Sequence, residues 1–126
     1  MNIKSLRHKL GAILAVALLV LSSVFVASSP TLAATIDVKM GSDSGQLVFE
    51  PSDITASPGD TINFVVNQMA PHNIVFESDS VKASSDQLMF APGETSSVTV
   101  PDAPGSYTFY CTPHRGAGMV GKLTIK

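Results

Sequence analysis

From residue 35 onward, the apolar residues of this chain recur at every second position in short runs, and Gly/Pro-rich turn sequences cut each run off before it reaches helical length. Ile36, Val38 and Met40 alternate with Asp37 and Lys39, and Ile62, Phe64 and Val66 repeat the pattern. Residues 72–76, 95–100 and 107–111 are further candidates, as is the tail, where Leu123 and Ile125 sit between Lys122, Thr124 and Lys126. Successive side chains of a strand point to opposite faces, so a period of two marks sheets with one face buried. Between the runs stand Ser57-Pro58-Gly59-Asp60, Ala91-Pro92-Gly93-Glu94 and Ala103-Pro104-Gly105-Ser106, all turn sequences. Several short strands with regular turns predict an all-β, antiparallel β-sandwich. Phe49, Phe64, Phe76, Phe90 and Phe109 are its expected aromatic core, and the polar segment 78–87 is expected to be a loop, or at most one helical turn. No internal repeat or second domain is visible.

The first 34 residues follow a different rule. Lys4, Arg7, His8 and Lys9 form a basic head, residues 10–26 are apolar except for Gly11, Ser22 and Ser23, and Ser28, Ser29, Pro30 and Ala33-Ala34 follow. That order is a secretory signal peptide, 1–34, cleaved after Ala33 or Ala34. A membrane anchor is the competing reading, since the run is near the lower length for a span, but Pro30 and the small residues favour removal. The head has no Arg-Arg pair, which points to the general secretory route.

Five Lys/Arg against ten Asp/Glu give residues 35–126 a net charge of −5, while the whole chain carries −2 because the leader is basic. No basic patch is present to meet phosphates, so nucleic acid is excluded as a partner. The chain has one cysteine, Cys111. In an exported protein a lone thiol implies intermolecular pairing, a reactive nucleophile, a metal ligand or an inert buried residue.

The neighbours of Cys111 decide among these. Residues 110–119 read Tyr-Cys-Thr-Pro-His-Arg-Gly-Ala-Gly-Met, with a thiol, an imidazole and a thioether at Cys-x2-His-x4-Met spacing, and His72 stands upstream between Pro71 and Asn73. Singly, each has a bland reading: Met119 as core filler, Cys111 as a small hydrophobe, His72 as a turn residue, His114 as a loop histidine. Jointly they make a blue-copper donor set, with one thiolate and two imidazoles in a plane and a weak axial thioether. Gly116 and Gly118 permit a tight loop and Pro113 stiffens it, so His114 can be held before metal arrives. Zinc would accept the thiolate and imidazoles, but Met is a poor zinc ligand and structural zinc takes four N/S donors. Hard cations prefer oxygen.

Residues 110–122 resemble the copper loop of the plastocyanin family at nearly every position. Pro71-His72-Asn73-Ile74-Val75-Phe76, Leu47-Val48-Phe49-Glu50-Pro51 and Ala91-Pro92-Gly93-Glu94 are also similar to it, so the resemblance spans residues 35–126. It implies a cupredoxin-like Greek-key sandwich of about eight strands. It also implies one copper ion cycling between Cu(I) and Cu(II) on His72, Cys111, His114 and Met119, with Asn73 tying the two ligand segments together. The implied role is that of a mobile monomeric carrier from cytochrome f of the cytochrome b-f complex to photosystem I, in the thylakoid lumen. Gly45, Leu47, Pro71, Pro113, Gly116 and Ala117 resemble the apolar docking face around the edge of His114, Tyr110 the side-face aromatic, and Arg115 the basic residue of cyanobacterial members. Leu47, two positions before Phe49, is expected to share a strand face with it. The stretch from Phe76 to Phe90 is shorter than in most members and its acids are scattered. With the single short leader, this points to a cyanobacterial setting without a plant-type acidic docking site.

Other function classes fit less well. A redox enzyme of the multicopper kind needs further histidines, and with His72 and His114 used only His8 of the leader remains, so no enzyme activity is expected. A copper delivery or storage protein would carry exposed Met/His clusters. A periplasmic, pseudoazurin-like carrier with another redox partner shares the bare ligand spacing and stays open, as does periplasm against lumen.

Overall fold

The computed structural model describes residues 31–126; the apolar run of the expected leader, 10–26, lies outside them. Eight strands follow in chain order: β1 (Thr35–Met40), β2 (Phe49–Glu50), β3 (Asp53–Ala56), β4 (Thr61–Val66), β5 (Val75–Phe76), β6 (Thr95–Thr99), β7 (Gly105–Tyr110) and β8 (Val120–Ile125), with a 3-10 helix at Thr112–Ala117. They form two four-stranded sheets, ordered β2-β1-β4-β6 and β3-β8-β7-β5. The sandwich is therefore the expected all-β architecture with eight strands.

The pairing differs from the expectation in one respect. Four strand pairs are antiparallel, but β1·β4 and β3·β8 run parallel. Hairpin-length connections impose antiparallel pairing, whereas parallel neighbours need a long crossover. Here β2 and β3, which pair into opposite sheets, lie between β1 and β4, and β3 and β8 are separated by most of the chain.

Alternation packs the core. In β4, Ile62, Phe64 and Val66 point inward while Thr61, Asn63 and Val65 are only half-buried. Phe49, Phe64 and Phe109 meet edge to face at centroid separations of 5.9, 4.9 and 5.4 Å, the arrangement the ring quadrupoles favour. Phe76 packs half-buried against Phe109 at 5.4 Å. Truncating a fully buried Phe such as Phe64 to Ala would cost about 3–5 kcal/mol.

Phe90, expected in the core, is 67 % exposed. Its neighbour Met89 pairs with His72 and points inward. The next residue of an extended segment must point outward, and Glu94 fixes the backbone there by accepting the Phe90 and Ala91 N–H groups at 2.8 and 3.1 Å. Two further expectations are corrected. Leu47 lies ahead of the two-residue β2 and is half-buried, so it shares no strand face with Phe49. Of residues 72–76 only Val75–Phe76 is strand; His72 makes a single bridge to Met89. Segment 78–87 is loop, as expected. Among the described residues no helix is long and apolar enough to cross a membrane.

Candidate metal centre

Two segments converge at one end of the sandwich. The downstream one leaves β7 at Cys111, turns through the 3-10 helix and returns as β8. Pro113 in its first turn needs no N–H partner. Backbone bonds knit it together: Cys111 N–H to Met119 O at 3.1 Å, His114 N–H to Cys111 O at 3.2 Å, Gly118 N–H to Arg115 O at 3.0 Å and Met119 N–H to His114 O at 3.1 Å. Gly118 ends the helix at φ 93°, the left-handed region that costs glycine nothing. Cys111 and Met119 are fully buried, while His114 is half-buried and Pro113, Arg115, Gly116 and Ala117 are exposed.

The upstream segment is held from outside. His72 is fully buried. It exchanges backbone bonds with Met89 at 3.1 and 2.8 Å, and its Nε2 donates to Gln68 O at 2.5 Å. That contact fixes the tautomer, leaving Nδ1 bare and turned toward the sulfur. Gln68 O can stand there because residue 41 is glycine: Gly41 has φ 84°, and a Cβ on it would lie 2.1 Å from that oxygen. Asn67 braces the same corner, donating to Gly41 O and Asp43 Oδ1 at 2.9 Å each. Neither Gly41 nor Gln68 carries a sequence signal for this role, since a backbone carbonyl looks the same whatever its residue.

Asn73 spans the two segments. Its Nδ2 donates to Thr112 Oγ1 at 2.9 Å and to Asp86 O at 3.0 Å, and its Oδ1 accepts the Thr112 N–H at 2.7 Å.

The donor atoms meet as follows. Cys111 Sγ lies 3.7 Å from His72 Nδ1 and 3.6 Å from His114 Nδ1, and the three donor atoms all fall within 4.8 Å of one another. Metal–thiolate and metal–imidazole bonds of about 2.3 and 2.0 Å, opened to a trigonal angle, place sulfur and nitrogen about 3.7 Å apart. The spacing is therefore one that His72, Cys111 and His114 would fit around a single d-block ion. Burial alone pushes the Cys111 thiol up, and the N–H groups of Asn73 and His114 oppose this by pointing at the sulfur. Burial likewise pushes His72 down, so its imidazole stays neutral and able to ligate, although the Gln68 carbonyl favours the charged form; nearby His114 lowers it further.

Around the centre, Arg115 is not a free charge. Its guanidinium pairs with Glu77 and lies 4.0 Å over the Tyr110 ring. Gly45, Leu47, Pro71 and Tyr110 are half-buried. Sequence reasoning missed three exposed apolar side chains on the loops that hold His72: Met69 (54 %), Leu88 (43 %) and Phe90 (67 %).

A buried cysteine sulfur between two imidazole nitrogens, with a methionine buried beside it at the end of a cupredoxin-like sandwich, defines a blue-copper electron carrier. The model for "Copper binding proteins, plastocyanin/azurin family" matches residues 36–126, and the chain belongs to that family. It is 42 % identical over 127 residues to a plastocyanin of Prochlorothrix hollandica, covering 97 % of this chain and 96 % of that one. It is 45 % identical over 133 residues to a plastocyanin of Nostoc punctiforme, covering 97 % and 95 %. The structure of oxidised plastocyanin from Dryopteris crassirhizoma superposes with a TM-score of 0.57 at 36 % identity, covering 71 % of this chain and 99 % of that one. Bound at the centre, copper supplies one-electron chemistry between Cu(I) and Cu(II).

Proposed function

We propose that this protein is a mobile, monomeric one-electron carrier, not an enzyme, that takes electrons from cytochrome f of the cytochrome b-f complex and delivers them to photosystem I. It works in the thylakoid lumen after export, meeting the membrane only transiently through its partners. The observation that carries this reading is the asymmetry of the histidines: His72 is sealed in, whereas His114 is only half-buried, on a loop whose Pro113, Arg115, Gly116 and Ala117 are exposed. A partner resting on that loop comes within a few bonds of the centre. The likeness to plastocyanins along nearly the whole chain supports these partners over others.

His72, Cys111, His114 and Met119 are the ligands in this reading. Asn73, bonded to both sides of Thr112, keeps the ligand segments in register, so the centre need not rearrange as its charge changes. Gly45, Leu47, Pro71, Pro113, Gly116 and Ala117 form the apolar docking rim, with Tyr110 and Arg115 at its side.

Flash-induced re-reduction of photosystem I tests the reading directly. The copper-loaded protein should drive it at a rate that rises with protein concentration. Leu47→Ala should slow it at every salt concentration, because a water-excluding rim controls close approach. Arg115→Gln should slow it mainly at low salt, because it turns the Arg115–Glu77 pair into a lone negative charge beside the rim and such charge effects are screened over roughly 8 Å at physiological ionic strength. Failure to re-reduce photosystem I, with an intact blue spectrum, would move the protein to another redox partner, as for a periplasmic pseudoazurin-like carrier. Ready loss of copper to a chelator would favour delivery or storage.

A further inference from the structure

At the far edge of β1 the chain makes a contact that the electron-transfer reading does not use. The Ala34 N–H donates to Asp60 Oδ1 at 2.8 Å, and the Ala34 carbonyl accepts the Thr61 N–H at 2.9 Å. These bonds sit one residue ahead of the first register pair of the parallel β1·β4 ladder, Thr35↔Thr61. The other carboxylate oxygen of Asp60 accepts the Ser57 N–H at 2.9 Å, so the Ser57-Pro58-Gly59-Asp60 turn aims the carboxylate at Ala34. Both backbone bonds hold the Asp60 carboxyl below its ordinary value, the Ala34 bond being the larger cause. Upstream of Ala34 the chain is exposed, and Leu32, a large apolar residue, is 89 % exposed.

Resting on the export reading, we propose that cleavage falls between Ala33 and Ala34 and that the α-ammonium thus created seats on the Asp60 carboxylate, tethering the start of β1 by an ion pair. Water hydrolyses the bond between the Ala33 carbonyl carbon and the Ala34 nitrogen under a signal peptidase. The hydroxyl goes to Ala33, and the nitrogen takes the hydrogen and then a proton from solvent. Two independent observations select this bond over the next. The peptidase reads small residues at the last and third-last positions of the leader. Cleavage before Ala34 puts Ala33 last and Thr31 third-last, whereas cleavage before Thr35 would put Ala34 last but the large Leu32 third-last. Cleavage before Thr35 would also remove Ala34 itself, leaving Asp60 Oδ1 and the Thr61 N–H without the partners they have here. In the precursor the same nitrogen is a neutral amide, so the contact can form before processing and gains a charge through it.

Intact mass of the exported, copper-loaded protein is the first test, and a chain starting at Ala34 is expected. A start at Thr35 overturns the tether alone, whereas an uncleaved chain overturns the cleavable-leader reading in favour of the membrane anchor, and the tether with it. The second test compares copper-loaded protein starting at Ala34 with a free or an acetylated amine, in the native and Asp60→Asn backgrounds. Acetylation keeps an N–H but removes the charge. It should lower Tm by a few degrees in the native background, by less in high salt, and by nearly nothing in Asp60→Asn. No loss of Tm in the native background, or an equal loss in both backgrounds, overturns the ion pair.

Discussion

The two ligand-bearing segments solve the same problem in opposite ways. The downstream segment, Cys111 to Met119, contributes three of the four proposed ligand residues and is closed by hydrogen bonds between residues no more than eight apart. The upstream segment contributes His72 alone, and that histidine is oriented from elsewhere: Gln68 O holds its ring, Met89 its backbone, Gly41 makes room for Gln68, and Asn73 reaches Thr112 39 residues away. A local loop keeps its geometry as long as its own turn is intact. A ligand held by remote partners depends on the whole sandwich being assembled, and is the weaker half of a preformed site.

The largest effect tests what the two halves share. Cys111→Ser should abolish the blue colour of the copper-loaded protein while the sandwich still folds, as visible absorption and far-ultraviolet circular dichroism will show. Next comes a paired comparison of glycines. Gly41→Ala combines a positive φ with a Cβ 2.1 Å from the Gln68 carbonyl oxygen, whereas Gly118→Ala has a positive φ but nothing within 4 Å. Gly118→Ala should cost about 1 kcal/mol in urea unfolding and keep the blue spectrum. Gly41→Ala should cost about 2–4 kcal/mol and perturb the spectrum, because the oxygen it displaces orients His72. Equal costs for the two would erase the distinction between locally and remotely supported ligands.

Asn73→Ala removes the bridge between the segments and leaves the Thr112 N–H without its acceptor, a loss of about 1–3 kcal/mol. Faster copper loss to a chelator should accompany it. Glu77→Gln frees Arg115 from its ion pair, and since both side chains are about half exposed, stability should change by less than about 1 kcal/mol. The informative readout is salt dependence of electron transfer, which should steepen as the arginine charge is unmasked. The smallest effect concerns the upstream brace. Lys39 and then Asn67 hold the Asp43 carboxyl below its ordinary value of 3.8. A carboxyl lowered in the folded state contributes stability that is present above that value and is lost as pH falls through the lowered one. Asp43→Asn should therefore shave stability slightly at neutral pH and make the acid limb of a Tm-versus-pH curve shallower, with no change below the folded-state value.

How legible each part was follows from the same contrast. The strand period of two and the Pro-Gly turns delivered the sandwich, because alternation and turn chemistry act over a few residues. They missed the two parallel pairings, which depend on where the chain crosses between sheets. Phe90 went astray because composition says only that Phe is apolar. Its side is set by Met89, whose inward direction comes from pairing with His72 across 17 residues. Arg115 was legible only as a basic residue beside a ligand, since neither Glu77 nor Tyr110 under its guanidinium is visible as a partner in one dimension.

The sequence by itself determined the chemistry: one thiol, two imidazoles and a thioether, three of them within nine residues, are soft and borderline donors suited to copper, and side-chain identity is written in the chain. Tertiary structure alone decided the geometry. The 3.6 and 3.7 Å spacings about Cys111 Sγ, the free Nδ1 of His72 and the burial that keeps its ring neutral arise from backbone carbonyls, a missing Cβ and packing across the sandwich end. Backbone groups are the same at every residue, so their roles become readable only once the fold has brought them to the site.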